Sequence, residues 1–257
     1  MKRKPNVVAI IQARMRSTRL PGKVLMPLNG LPVLYWMLKR VSAAEMVDRI
    51  IIATTWDESN RLIRRLRVDV SETAYQIERP WRVFSYPGEE DDVIGRMISA
   101  AKSADADIVV EITADCPMID PRHIDVVVNQ LIMHNADYIS NDVVERSWPD
   151  GLDVQAYWID ALMRCDRIVK PAHHCGWNIG ASPMFNKLNW QAPPQYNWPQ
   201  LGLTLDTAED YGMLCFLFKR FAEKNALFYV EDIIDFLKFN SEYITNAKVK
   251  RKGPDEG

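Results

Sequence analysis

Near the start of the chain, Arg14, Arg16, Arg19 and Lys23 fall within ten positions, with Ser17, Thr18 and Gly22 between them. Guanidinium groups grip phosphate oxygens as forked pairs, and a lysine adds a point charge. Small residues let backbone N–H groups come close to an anion. A loop of this kind suits attack of a nucleophile on phosphorus, where catalysis is mainly positioning and charge neutralisation. The Walker pattern G-x-x-x-x-G-K-[ST] is absent, and so is the dinucleotide pattern G-x-G-x-x-G. Charge alone would equally describe a solvated basic loop, so its placement in the fold matters.

That placement follows from the apolar pattern. Val7-Val8-Ala9-Ile10-Ile11 is a continuous apolar run and predicts a buried strand directly before the loop. A helix is expected from about Pro32, with Leu34, Met37, Leu38 and Val41 on one face. Strands are expected over 49–54, 81–86, 107–113, 137–140, 152–157, 201–205 and 228–230. Helices are expected over 89–103, 121–134, 159–169 and 208–224, from Glu231, and after an N-cap at Asp57. Alternating strands and helices predict an α/β fold, a mixed, mostly parallel sheet with helices on both faces. In such sheets ligands bind beyond the carboxyl ends of the strands, where the Arg14–Lys23 loop would stand.

Two acidic residues share that end. Asp115 follows the strand over 107–113, and Asp206 follows the one over 201–205. Mg²⁺ is held by one or two carboxylates together with substrate phosphates and water, a need two converging carboxylates meet. Each has a simpler alternative in a strand-end turn, or in capping a helix that starts at Ala208.

The bulk properties set limits. The chain has 257 residues, 47% hydrophobic and 26% charged, with a net charge of −2. This describes an ordinary globular protein without a basic nucleic-acid surface. No apolar run is long enough to span a membrane, and none resembles a secretory signal. Cys116, Cys165, Cys175 and Cys215 form no C-x-x-C pair, so a reduced, cytoplasmic protein is expected. Residues 1–247 read as one domain and 248–257 as a charged tail. Residues 148–199, rich in proline and aromatics, read as an insertion that covers a pocket or meets a partner chain.

The segment Ile11-Gln12-Ala13-Arg14-Met15, followed by Ser17-Thr18-Arg19-Leu20-Pro21-Gly22-Lys23, resembles the opening motif of the spore-coat polysaccharide cytidylyltransferases. These sit within the CMP-sugar synthetases, the acylneuraminate and 3-deoxy-manno-octulosonate cytidylyltransferases. The likeness continues through Ala53-Thr54-Thr55, Glu90-Asp91-Asp92-Val93-Ile94-Gly95-Arg96 and Ile112-Thr113-Ala114-Asp115-Cys116-Pro117. It resumes at Pro149-Asp150-Gly151-Leu152-Asp153-Val154 and Leu203-Thr204-Leu205-Asp206-Thr207-Ala208-Glu209-Asp210. The resemblance implies a Rossmann-like nucleotidyltransferase fold (GT-A-like), Mg²⁺ as cofactor, and usually a homodimer. It implies attack of an acceptor oxygen on the α-phosphate of CTP. Arg14, Arg19 and Lys23 would then neutralise the triphosphate. Gln12, Ala13, Ser17 and Arg96 would line the nucleotide site, and Asp115 and Asp206 would hold the metal.

The acceptor end is read more loosely. An acidic sugar, a phosphorylated small acid or polyol, or a phosphonate would all serve. Asp153 is the favoured acceptor contact; Asp150 is explained as well by an Asp-Gly turn. His174 is the second candidate, because related enzymes often carry Glu-His near this point. The following Gly176-Trp177-Asn178-Ile179-Gly180-Ala181 departs from the threonine-proline-tyrosine stretch expected there. Arg16 departs too, replacing the usual glycine; it either faces outward or adds a phosphate or acceptor contact. Arg96 either faces the nucleotide or pairs with Asp92 one helical turn away. A glycosyltransferase would want a D-x-D motif, and Asp115-Cys116-Pro117 lacks the second Asp. A non-catalytic nucleotide-binding module would not require both Lys23 and Asp115.

Overall fold

The computed structural model describes residues 3–65, 68–69, 82–168, 175–223, 225 and 227–250. The strands are β1 (Val7–Gln12), β2 (Pro27–Leu28), β3 (Leu31–Pro32), β4 (Arg49–Thr55), β5 (Val68–Asp69), β6 (Arg82–Gly88), β7 (Ile108–Thr113), β8 (Tyr138–Ser140), β9 (Gln155–Trp158) and β10 (Lys187–Asn189). The helices are α1 (Val33–Ser42), α2 (Arg61–Arg64), α3 (Val93–Ser103), α4 (Pro121–Met133), α5 (Ile159–Ile168), α6 (Cys175–Ala181), α7 (Ala208–Ala222) and α8 (Val230–Phe239). Among the described residues, eight strands form one sheet in the order β10-β8-β9-β7-β1-β4-β6-β5, and β2 and β3 form a small hairpin. The central strands β7, β1, β4 and β6 run parallel, while β9 and β5 run antiparallel to their neighbours. The expected mixed, mostly parallel α/β sheet is therefore present. The chain leaves β1 toward β4 and β6, then crosses back to place β7 on the other side. This reversal creates a switch-point crevice at the carboxyl ends of β1 and β7.

Alternation along β1 distributes the core. Val7, Ala9 and Ile11 pack against Leu34, Met37, Leu38 and Val41 of α1 and against Ile124, Val127 and Leu131 of α4. Val8 and Ile10 face the other way, toward Ile94 and Met97 of α3, Leu162 of α5 and Ile179 of α6. Period-two side chains thus serve both helical layers. Gln12 and Glu111 continue the α3 face, a placement the crevice exploits. A third apolar cluster joins α7 and α8 to Trp36, Trp148, Leu201, Leu203 and Leu205.

Two expected strands do not form. Residues 201–205 are fully buried, but they pack on α7 and α8, and only Gly202 bridges another strand-like residue, Asp150. Their backbone bonds are irregular: Leu203 N–H donates to Asp150 O, and Leu205 N–H to Asp115 O. Residues 228–230 turn instead into α8, whose first turn is closed by Asp232 accepting from Tyr229 N–H. In both places an apolar run expected as a strand fills the space beside helices. Helix α3 begins at Val93, later than expected, because Asp92 caps it by accepting from Gly95 N–H. The segment 148–199 contributes β9 and β10 to the main sheet, and α5 and α6 to its α3-side layer. Among the described residues no helix is long and apolar enough to cross a membrane.

Candidate active site

The Arg14–Lys23 loop leaves β1 at the crevice and closes on itself. Gly22 N–H and Ser17 N–H both donate to Met15 O, and the Ser17 hydroxyl accepts from Leu20 N–H. Gly22 sits at φ +75°, a conformation that glycine adopts without strain. Asn60 fixes the loop from below. Its Oδ1 accepts from Met15 N–H at 2.7 Å, and its Nδ2 donates to Thr55 Oγ1 at 2.7 Å. Asn60 is buried. It escaped the sequence reading because its partners are backbone and sheet atoms with no motif of their own.

The crevice has a volume of about 380 Å³. Gln12, Ala13, Arg14, Ser17, Arg19, Lys23, Arg96 and Asp115, all expected at the site, line it. Lys23 is its centre. Its Nζ donates to Asp115 Oδ2 at 2.6 Å and to Asp206 Oδ1 at 2.8 Å. Arg19 adds a 3.0 Å contact to the same Asp206 oxygen. Asp206 is thus brought beside Asp115, although no strand carries it there; the Leu205–Asp115 backbone bond does so. Burial pulls the Lys23 ammonium down, but Asp115 and Asp206 outweigh it and lift the group above its ordinary 10.5. Burial likewise pushes the Asp115 carboxyl up, and Lys23 more than offsets it, holding it below 3.8.

Other expected residues fall differently. Arg14 is more than half exposed and 3.9 Å from Glu90. Arg16 pairs with Asp57 at 3.1 Å, takes no positive φ, and does not line the crevice. Of the two alternatives for Arg16, the outward one is therefore realised. Arg96 donates to the carbonyls of Glu89 and Glu90, while Asp92 caps the helix instead of pairing with it. Asp153 does not line the crevice. It is held by Arg146 through two bonds of 2.6 and 3.0 Å, with Asp150 3.3 Å and Asp142 3.9 Å from the same guanidinium. This acidic group borders Asp115 through Cys116, whose thiol is pushed well up by burial, then by Asp115, Asp153 and Asp150. Such a thiol is a poor nucleophile. His174 and its neighbour His173 lie outside the described residues.

On the α3 side stands a residue that the sequence reading passed over. Glu111 is a lone charge in the apolar run Ile108-Val109-Val110-Glu111-Ile112, a signal that could have found it. It is buried, and burial raises its carboxyl above 4.5 despite three donors: Tyr157 Oη, Gly176 N and Gln12 Nε2.

A two-sided crevice at the switch point of a parallel sheet, with basic loop and paired carboxylates, defines a nucleotide-phosphate-binding enzyme. A family model described as Cytidylyltransferase matches residues 8–147, and the chain belongs to that family; it is a nucleotidyltransferase. An uncharacterized protein of Methanocaldococcus jannaschii is 30% identical over 96% of both chains. The spore coat polysaccharide biosynthesis protein SpsF of Bacillus subtilis is 28% identical over 85% of this chain and 89% of its own. A cytidylyltransferase structure from Leptospira borgpetersenii superposes with a TM-score of 0.81 at 25% identity, covering 96% of this chain and all of that one.

Proposed function

We propose that this enzyme transfers CMP from CTP to an acidic sugar, a phosphorylated small acid or polyol, or a phosphonate, releasing pyrophosphate, in the synthesis of a surface polysaccharide or related conjugate. The observation that carries the reading is the buried Lys23 ammonium shared between Asp115 and Asp206 in the crevice. An acceptor oxygen forms a bond to the α-phosphorus, the bond from that phosphorus to the α,β-bridging oxygen breaks, and pyrophosphate leaves with its electron pair. Arg14, Arg19 and Lys23 face the charge that collects on the phosphates, and the loop amides with Ser17 shape the cradle. An acceptor that arrives as an oxyanion needs no base. The likeness to the Bacillus spore coat polysaccharide biosynthesis protein supports the class of pathway.

Asp115 and Asp206 fit a divalent cation. Both are hard oxygen donors, and they already converge on one positive centre. Among the described residues no group of three or more His, Cys, Asp or Glu is placed to hold a metal ion by itself, so phosphate and water would complete the shell. Mg²⁺ held there would neutralise phosphate charge. Asp153, with Arg146 beside Cys116, and His174 are proposed at the acceptor end. The reading carries with it a cytoplasmic homodimer of one 1–247 domain, with the 148–199 segment at the acceptor or subunit face and 248–257 as its tail.

The test uses CTP labelled at the α-phosphate, Mg²⁺ and a panel of these acceptors. Label is expected in the product, with unlabelled pyrophosphate released. Failure to bind CTP, together with clear binding of a UDP-sugar, overturns the proposal.

A further inference from the structure

The sheet alternation that directs Val8 and Ile10 toward α3 also directs Gln12 there, at the floor of the crevice. Gln12 Nε2 donates to Glu111 Oε1 at 2.6 Å. The other carboxylate oxygen, Oε2, accepts from Tyr157 Oη at 2.9 Å and from Gly176 N at 3.0 Å. A carboxylate offers only acceptors, so the amide face turned to it must be the NH₂ face. The opposite end of the planar carboxamide, Oε1, has no partner among the described residues and belongs to a side chain that lines the crevice.

The peptide N–H of Gly176 cannot reverse, so Oε2 is always an acceptor, and with the carboxylate ionised Oε1 accepts as well. Glycine leaves room for this approach: a Cβ at 176 would lie 1.6 Å from Gln155 Oε1 and would displace that side chain. Glycine at the start of α6 is part of the stretch that departs from the resembled pattern, and the departure has a use here.

We infer that Glu111 is a positioning residue for base selectivity: it locks Gln12 with its carbonyl oxygen toward the crevice, as an acceptor for the 4-amino group of cytosine. Uracil carries an oxygen at that position, and two acceptors would then face each other. The inference rests on the CTP reading and names the group that would enforce it. Arg96, Thr55 and Val93 line the same crevice. None of their side chains supplies a fixed neutral acceptor of this kind: arginine only donates, a threonine hydroxyl rotates, and valine is apolar.

A glutamine at 111 is nearly isosteric and reverses the logic. Its carbonyl must face Gly176 N–H, so its NH₂ faces Gln12. Gln12 then turns over and presents NH₂ to the crevice, a donor suited to uracil.

The experiment measures the affinities of CTP and UTP with Mg²⁺ by calorimetry, without acceptor, for the wild type, Glu111→Gln and Gln12→Leu, with melting curves as a check on folding. The wild type is expected to prefer CTP. Glu111→Gln is expected to lower the CTP:UTP ratio about tenfold or more, partly through tighter UTP binding. Gln12→Leu is expected to lose the preference without gaining UTP affinity. An unchanged ratio in Glu111→Gln, with the protein folded, overturns the inference, and so does an unchanged ratio in Gln12→Leu, which decides the matter if Glu111→Gln does not fold. A wild type with no preference for CTP overturns the nucleotide reading itself, and the inference with it.

Discussion

On its loop side the crevice holds charge in balance. Lys23 and Arg19 face Asp115 and Asp206, and the contacts are short but interchangeable, since an ammonium has no preferred direction. On its α3 side it holds direction. Gln12, Glu111, Tyr157 and Gly176 form a chain of hydrogen bonds in which each donor and acceptor is fixed by the next. The first arrangement can exchange one counterion for another, as a triphosphate with its metal requires. The second keeps its sense for as long as Glu111 is ionised. On the proposed reading, affinity for phosphate and choice of base rest on different physics within one pocket.

The largest break expected is on the loop side. Lys23→Ala should lower kcat/KM for CTP about a hundredfold to a thousandfold while the protein stays folded. Asp115→Ala should likewise lose turnover and stay folded. Steady-state pyrophosphate release and thermal melting check both, and full activity in either would misplace the phosphate and metal groups. Asn60→Ala comes next. It frees Met15 N–H and Thr55 Oγ1, so KM for CTP should rise about tenfold and stability should fall by about 1–3 kcal/mol, measured by denaturant titration.

The two sides also differ in pH response. The Asp115 carboxyl is depressed in the folded state, so its stabilisation is present above 3.8 and is lost as pH falls through its lowered value. The Glu111 carboxyl is raised, with burial outweighing its three donors and nearby Arg96. The unfolded chain then releases its proton first, and stability falls as pH rises from 4.5 through the raised value. Glu111→Gln should therefore be more stable than wild type at neutral pH, with the gain vanishing as pH falls toward 4.5; denaturant midpoints across a pH series measure this. The smallest effect belongs to Arg16→Gly. Its exposed pair with Asp57 lies outside the crevice, and KM for CTP should change by less than about threefold.

What the sequence shows of this fold depends on whether a signal is local. The run at β1, the cationic loop after it and the Asp115 turn after β7 each combine apolar continuity with a break at the strand end, and the structure places them as expected. Residues 201–205 carry the same apolar continuity, yet fill the gap between α7, α8 and the body of the protein. Burial against helices and burial in a sheet leave the same composition. Asp206 still stands beside Asp115 without that strand, because Leu205 N–H reaches Asp115 O by a bond that links positions 90 residues apart. Asn60 and Glu111 went unread for a related reason. Each acts through partners distant in sequence or on the backbone, and no spacing rule announces them.

The most direct test of the division of labour is the CTP:UTP affinity ratio in Lys23→Ala, Glu111→Gln and their double variant. Lys23→Ala should weaken both nucleotides by the same factor and leave the ratio at its wild-type value. Glu111→Gln should shift the ratio, and the double variant should show both effects independently. A ratio that moves in Lys23→Ala, or nucleotide affinities that fall together in Glu111→Gln, would contradict the account.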